Sequence, residues 1–436
     1  MNNTPSPSFK EAFLFWLKLG FISFGGPAGQ IAIMHEYVVT QKRWISESRF
    51  LNALNYCMLL PGPEAQQLAT YLGWLFHGVK GGLTAGILFV LPSLLILISL
   101  NILYVTYGNI AWVAALFAGL KPVVVAIIVV ALIKIGKKSL QGYLHYTLAL
   151  SSFIAIYFFN IAFPVIILCS IIIAALLKYL APGFFKAEKE ASHNDLHEAE
   201  YLANSNTFAA RNFNFFQSGK IIFTGILLWA SPLVLFYFAS SDWEFWKTLT
   251  GFFTNAALVT FGGAYAVLPY VAQVSVEKLK WLSHYQMIDG LALGETTPGP
   301  LIMVLVFVGF MGGYHHYGNS VFHGVAASCT TAFYTFLPSF VLIFAGAPLI
   351  ERIHGNLKIK ALMSLVSAAV VGVIVNLTIY LTVAVVAPHG VKGGLSYLNI
   401  AWILISFLAL YKFKVNMILW IGISAIVGLI SYLAIA

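Results

Sequence analysis

Charge is what this chain lacks most. Asp, Glu, Lys and Arg make up 9% of its 436 residues, 60% are hydrophobic, and the mean hydropathy is +0.87. A soluble globular domain carries about 25% charged residues, so that class is excluded. Cysteine is nearly absent as well. Cys57, Cys169 and Cys329 each stand alone among apolar neighbours, which gives no disulfide framework and no CxxC metal site; they read as small buried hydrophobes. No Gly-rich stretch runs into Lys-Ser/Thr, so there is no Walker A sequence and no sign of direct ATP drive. No enzyme signature is present, and no cofactor is expected. The net charge is +9, yet the Lys and Arg residues are scattered singly or in pairs. That leaves no basic stripe for nucleic acid. Such residues collect in the cytoplasmic loops of membrane proteins, and the excess is read that way. Met1–Ser8 is polar, with no signal-peptide pattern.

What the chain has is long apolar runs. A membrane span needs roughly 20 apolar residues, and clear candidates are 82–105, 111–133, 143–160, 161–180, 221–240, 325–349, 361–387, 395–411 and 415–434. The fold class is an all-α polytopic membrane protein with about 13 hydrophobic segments. Ser8-Phe9-Lys10-Glu11 fits a capping box that opens the first helix. One hydrophilic interruption, from Lys186 to Glu200, holds seven charges and marks a solvated linker. His193 and His197 within it have metal-ligand spacing, though solvated linker histidines are the plainer reading.

A repeat organises the rest. Phe24-Gly25-Gly26, Trp44 and Pro61-Gly62-Pro63 recur as Phe261-Gly262-Gly263, Trp281 and Pro298-Gly299-Pro300, all at an offset of 237. Leu91-Pro92 and Leu337-Pro338 then match at an offset of 246. The expected organisation is a first repeat at 1–182, a cytoplasmic polar linker at 183–219, a connecting transmembrane helix at 220–244 and a second repeat at 245–436. Each repeat crosses the membrane an even number of times, so the single connecting helix inverts the second. With the N-terminus cytoplasmic and the motif segments crossing fully, 17 Lys and Arg lie inside against 5 outside. If the motif segments are re-entrant hairpins, the count becomes 18 to 4. Both readings stay open. An inverted repeat with a site at the midplane is a recurring architecture of secondary transporters.

The motifs read as broken helices. Gly-Gly stops a helix and Pro opens the next. A break at membrane depth leaves N–H donors and a partial positive charge at a helix start, which suits an anion. The backbone candidates are therefore Gly25, Gly26, Pro27, Pro61, Gly62, Pro63, Gly262, Gly263, Pro298, Gly299 and Pro300. Ser23, Asn55, Gln66, Thr260 and Thr297 are nearby polar groups able to donate to oxyanion oxygens; interhelical bonding is the plainer role. Lys121, expected near a helix start, seeks an anion or a carboxylate partner, with snorkelling as the alternative. Glu64 and Glu295 flank the two Pro-Gly-Pro motifs and are candidates for proton coupling; Glu64 can instead simply stabilise a helix N-terminus.

Phe24-Gly-Gly-Pro27, Arg43-Trp44, Pro61-Gly-Pro-Glu-Ala-Gln-Gln67 with Tyr71-Leu-Gly73, and Gly294-Glu-Thr-Thr-Pro-Gly-Pro300 resemble the chromate ion transporter family. The resemblance covers essentially the whole chain and fits the long, two-domain form with antiparallel halves. It implies export of chromate across the bacterial inner membrane, chromate resistance, and sulfate as the look-alike anion. The partners it implies are these anions and the lipid bilayer; a homodimer is left open. Rival readings are a sulfate or other oxyanion importer and a lipid scramblase. Ala264 stands where the first half has Pro27, so the second break is expected to be softer.

Overall fold

The computed structural model describes residues 7–24, 26–180, 215–240, 242–261, 263–350, 357–388 and 394–435. Gly25, Gly262 and the linker up to residue 214, including His193 and His197, lie outside the described residues. The described elements are all helical. They are α1 (Phe9–Ile22), α2 (Gly26–His35) with a π turn Glu36–Gln41, α3 (Glu47–Cys57), α4 (Glu64–Tyr107), α5 (Ala111–Ser139), α6 (Tyr143–Phe159) and α7 (Phe163–Leu180). After α8 (Phe215–Ala239) come α9 (Trp243–Leu258), α10 (Ala264–Ala272) with a π turn Gln273–Lys278, and α11 (His284–Thr296). A 3-10 turn Leu301–Met303 leads into α12 (Val304–His316), then α13 (Val321–Ile350), α14 (Leu357–Val386), α15 (Tyr397–Phe407) and α16 (Met417–Ile435). α4 is two rods, because His77 and Gly78 (φ 65°) leave helical geometry and break it between 64–76 and 79–107.

Among the described residues, six helices are long and apolar enough to cross a membrane: 64–107, 111–139, 216–239, 321–347, 364–386 and 417–434. Four shorter apolar helices accompany them. All nine candidate spans fall on helices, while the motif segments are shorter. α1 has 14 residues and α3 has 11, so each extends only about 15–20 Å at 1.5 Å per residue.

The ends of these short helices show where they go. Lys42, beyond α2, bonds Glu11 at the start of α1 at 2.8 Å. A single crossing by α1 and α2 as one broken helix would hold these residues about 30 Å apart. His77, ending the rod 64–76, hydrogen-bonds Pro7 O at 2.9 Å and stacks edge-on to Phe9. α1 with α2, and α3 with 64–76, are therefore hairpins whose open ends gather at residues 7–11, 42 and 77. Glu11 is drawn to Lys42, so only the Ser8 side of the expected capping box forms, with Ser8 Oγ accepting from Glu11 N. The second half repeats the arrangement. Asp242, which caps α9, meets His316 at the end of α12 at 2.5 Å, and His315 Nδ1 lies 2.8 Å from Trp281 O. The hairpin bases match in detail: Trp44 and Trp281 are buried and donate to Val38 O and Ser275 O. The preceding Arg43 and Lys280 share a φ near 50°.

The long helices interlock. α5 packs against α14, α15 and α16, while α14 packs against α5, α6 and α7. Gly119 on α5 lies backbone to backbone against Gly428 on α16, the close approach that small residues permit between membrane helices. α7, α8 and α16 leave Leu168, Phe223, Leu235 and Leu419 exposed, an apolar outer surface.

Candidate functional site

The hairpin tips of the two halves meet. Ser23 Oγ bonds back to Leu19 O at 2.6 Å, and Thr260 Oγ1 to Ala256 O at 2.5 Å. The backbone carbonyls of Ser23 and Thr260 then face across the molecule. Gly299 N–H donates to Ser23 O and Gly62 N–H donates to Thr260 O, each at 2.8 Å. Each half thus lends its Pro-Gly-Pro amide to the other half's helix stop. Both glycines have φ in the left-handed region, 126° at Gly62 and 99° at Gly299. Both are also tightly enclosed. A Cβ on Gly62 would strike Gln67 Nε2 and Ser339 Oγ, and one on Gly299 would strike Ser93. Ser93 and Ser339 are themselves equivalent positions in the repeat. Two first-half glutamines brace the seam: Gln30 Nε2 donates to Gly299 O at 2.5 Å, and Gln67 Nε2 to Pro61 O at 2.7 Å.

The other pair of motif glycines is different. Gly26 (φ 74°) and Gly263 (φ 99°) open α2 and α10, and a Cβ on either would meet nothing within 4 Å. Here two helices start beside space that a Cβ could enter. Ala264 does not soften the second break, because the positive φ of Gly263 makes it and no proline ring is needed. Pro63 caps α4 and Pro300 caps the 3-10 turn, as expected of helix-opening prolines. Pro27 lies in the first turn of α2, and Pro298 is buried at the tip.

Gly26, Thr297 and Gly299 line a cavity with Gly294, Glu295, Leu301 and Met417. Its volume is about 10 Å³, roughly one water molecule, so this state is closed to any oxyanion. Glu295 is buried on its wall and accepts a hydrogen bond from Tyr265 OH at 2.8 Å. Glu64 is elsewhere. It opens α4 close to Cys57, and the cation acting on it is Lys138. Gln66 donates to Thr70 at 3.0 Å, and its Oε1 is buried without a partner. Asn55 is exposed on α3.

Lys121 sits in mid-helix, eleven residues into α5 rather than at a helix start. Its Nζ is 3.7 Å from Asp289 Oδ1 and 4.8 Å from the Tyr285 ring centre. Tyr104 OH donates to Asp289 Oδ2 at 2.9 Å. The sequence reading left Lys121 between an anion and a carboxylate partner, and the carboxylate is Asp289. Asp289, Tyr104, Tyr265, Ser93 and Ser339 join this cluster through contacts between elements far apart in sequence. An open cleft of about 500 Å³, lined by Glu277, Lys280, His284 and His315 among others, lies at the base of the second pair of hairpins.

Residues 10–176 and 247–429 match the chromate transporter family. A chromate transport protein of Cupriavidus metallidurans is 26% identical over 99% of this chain and 95% of its own length. A chromate transport protein of Pseudomonas aeruginosa is 28% identical over 97% and 92%. An uncharacterized transporter of Bacillus subtilis is 28% identical over 33% of this chain and 71% of its own length. No solved structure matches significantly. With six membrane-length apolar helices and a family match across both halves, the chain belongs to the chromate transporter family of multi-pass membrane proteins.

Proposed function

We propose that this chain is a secondary transporter that carries chromate out of the cell across the inner membrane and so confers resistance to it. The observation that carries the reading is the pair of helix starts at Gly26 and Gly263. A Cβ at either would meet no atom within 4 Å, and the seam bonds join the hairpin tips from which both helices start. Amides at such helix starts suit a tetrahedral dianion, and the full-length relatives are named for chromate.

In this reading the two halves, 1–182 and 245–436, are inverted about the seam, with 220–244 crossing once between them. The hairpins of the first half open to the cytoplasm with the N-terminus and linker, and those of the second open outward. That orientation puts 18 Lys and Arg inside against 4 outside. Transport then consists of opening the seam to one side at a time. A dianion leaving a negative interior gains about twice the ~2.3 kcal/mol per charge that 100 mV supplies, so export needs no pump. Of the two candidate coupling carboxyls, Glu295 is favoured because it borders the cavity and Glu64 does not.

The test is anion flux in proteoliposomes under an imposed potential. Chromate should leave the negative compartment, and sulfate should compete. Absence of chromate flux in either direction overturns the proposal. Sulfate uptake that requires a proton gradient selects the importer, and lipid movement without anion flux selects the scramblase.

A further inference from the structure

The Lys121–Asp289 pair has an unusual shape for a buried ion pair. Asp289 is 5% exposed and lies between α4 and α5. A structural pair at that depth normally closes to hydrogen-bonding distance and satisfies both carboxylate oxygens. Here only Oδ2 is satisfied, by Tyr104 OH. Oδ1 accepts no hydrogen bond, and at 3.7 Å the lysine stands beyond hydrogen-bonding range. Tyr104 thus fixes one carboxylate oxygen, and the other faces the cation without a hydrogen bond. On its other side Lys121 meets the Tyr285 ring, whose hydroxyl is tied to Pro388 O at 2.6 Å. An ammonium with three donors is therefore held by a ring face and a carboxylate that stops short of it.

The pair also occupies a suitable place. Asp289 and Glu295 lie on the same helix six residues apart, about 9 Å along its axis. The first turn of that helix borders the open cleft, and its last turn borders the closed cavity. We propose that Asp289 is a built-in stand-in for the transported anion, which neutralises Lys121 until an incoming dianion takes its place. The assignment rests on the anion-transport reading. A dianion outcompetes a single carboxylate charge for the lysine, whereas a monovalent anion does not. The displaced carboxylate, kept nearby by Tyr104, then repels the dianion and hastens its release.

The experiment measures the chromate dependence of flux by the full chain in proteoliposomes, with nitrate as a monovalent competitor. Asp289→Asn should lower the half-saturating chromate concentration by roughly tenfold, within the usual range of site coupling. It should also slow the maximal rate and make nitrate an inhibitor. Lys121→Gln should raise half-saturation, and the double variant should match Lys121→Gln alone, because the aspartate acts through the lysine. Tyr104→Phe keeps both charges and frees the carboxylate to close on Lys121, so it should raise half-saturation even if Asp289→Asn fails to fold. The assignment alone falls if wild-type flux is normal but Asp289→Asn leaves half-saturation unchanged or raises it like Lys121→Gln. It falls equally if Tyr104→Phe leaves half-saturation unchanged. Absence of wild-type chromate flux overturns the transport reading and this assignment with it.

Discussion

At the residue scale, two kinds of glycine do opposite work. Gly26 and Gly263 keep space open, while Gly62 and Gly299 fill a seam where no Cβ fits. Gly26→Ala meets no atom and bears only the left-handed backbone strain of about 1–2 kcal/mol. Gly62→Ala adds a collision with Gln67 and Ser339 to the same strain. Thermal unfolding in detergent should therefore show a small loss for the first and a much larger one for the second, with chromate flux impaired in both. A second residue-scale test lies at the hairpin base. The His316 hydrogen bond holds the Asp242 carboxyl below its ordinary value of 3.8. A carboxyl lowered by folding stabilises the folded state above its ordinary value and loses that contribution as the pH falls through the lowered one. Asp242→Asn should lower the melting temperature near neutral pH, and the gap from wild type should close in acid.

Much of the site was legible at this scale because glycine and proline act through the backbone and announce breaks locally. Asn55 stands apart from the other candidates: Phe50, Ala53 and Cys57 form the buried stripe of α3, and Asn55 falls off that stripe. The Asp289 partner of Lys121 was not legible. The two residues lie far apart in sequence, and no local periodicity states which face of α5 meets α11.

At the element scale, helix length decided what loop charges left open. The Lys and Arg counts hardly distinguish full crossings from hairpins, whereas a 14-residue helix answered by the Glu11–Lys42 contact leaves only the hairpin. A thiol test follows. Lys42→Cys should react with a membrane-impermeant maleimide from the side of the N-terminus, and Lys280→Cys from the other side. Labelling of both from one side would refute the inverted arrangement, and labelling of Lys42→Cys from the side opposite the N-terminus would refute the first hairpin. The π turns after α2 and α10 have no clear sequence signature. They became visible only as matched bases at Trp44 and Trp281.

At the scale of the molecule, neither half closes its own site. α5 leans on the last helices of the second half, α14 leans on those of the first, and each seam bond spans both. Fragments 1–195 and 196–436, cut in the charged linker, should restore chromate flux when co-expressed. Each should be degraded or aggregated when made alone. A stable, monodisperse single fragment would show that the halves fold independently.

The seam has one further consequence. Its two backbone crossing bonds, Gly62 to Thr260 and Gly299 to Ser23, are the same kind of bond at the same 2.8 Å, while the Gln30 side chain adds one crossing bond from the first half alone. A gate that opens to either face gives up a matching backbone bond each time, so the backbone part of the seam favours neither one-sided state of an empty carrier. On the transport reading such a machine is a poor rectifier. The membrane potential and the concentration gradient set its direction, and reversing both should run it backwards.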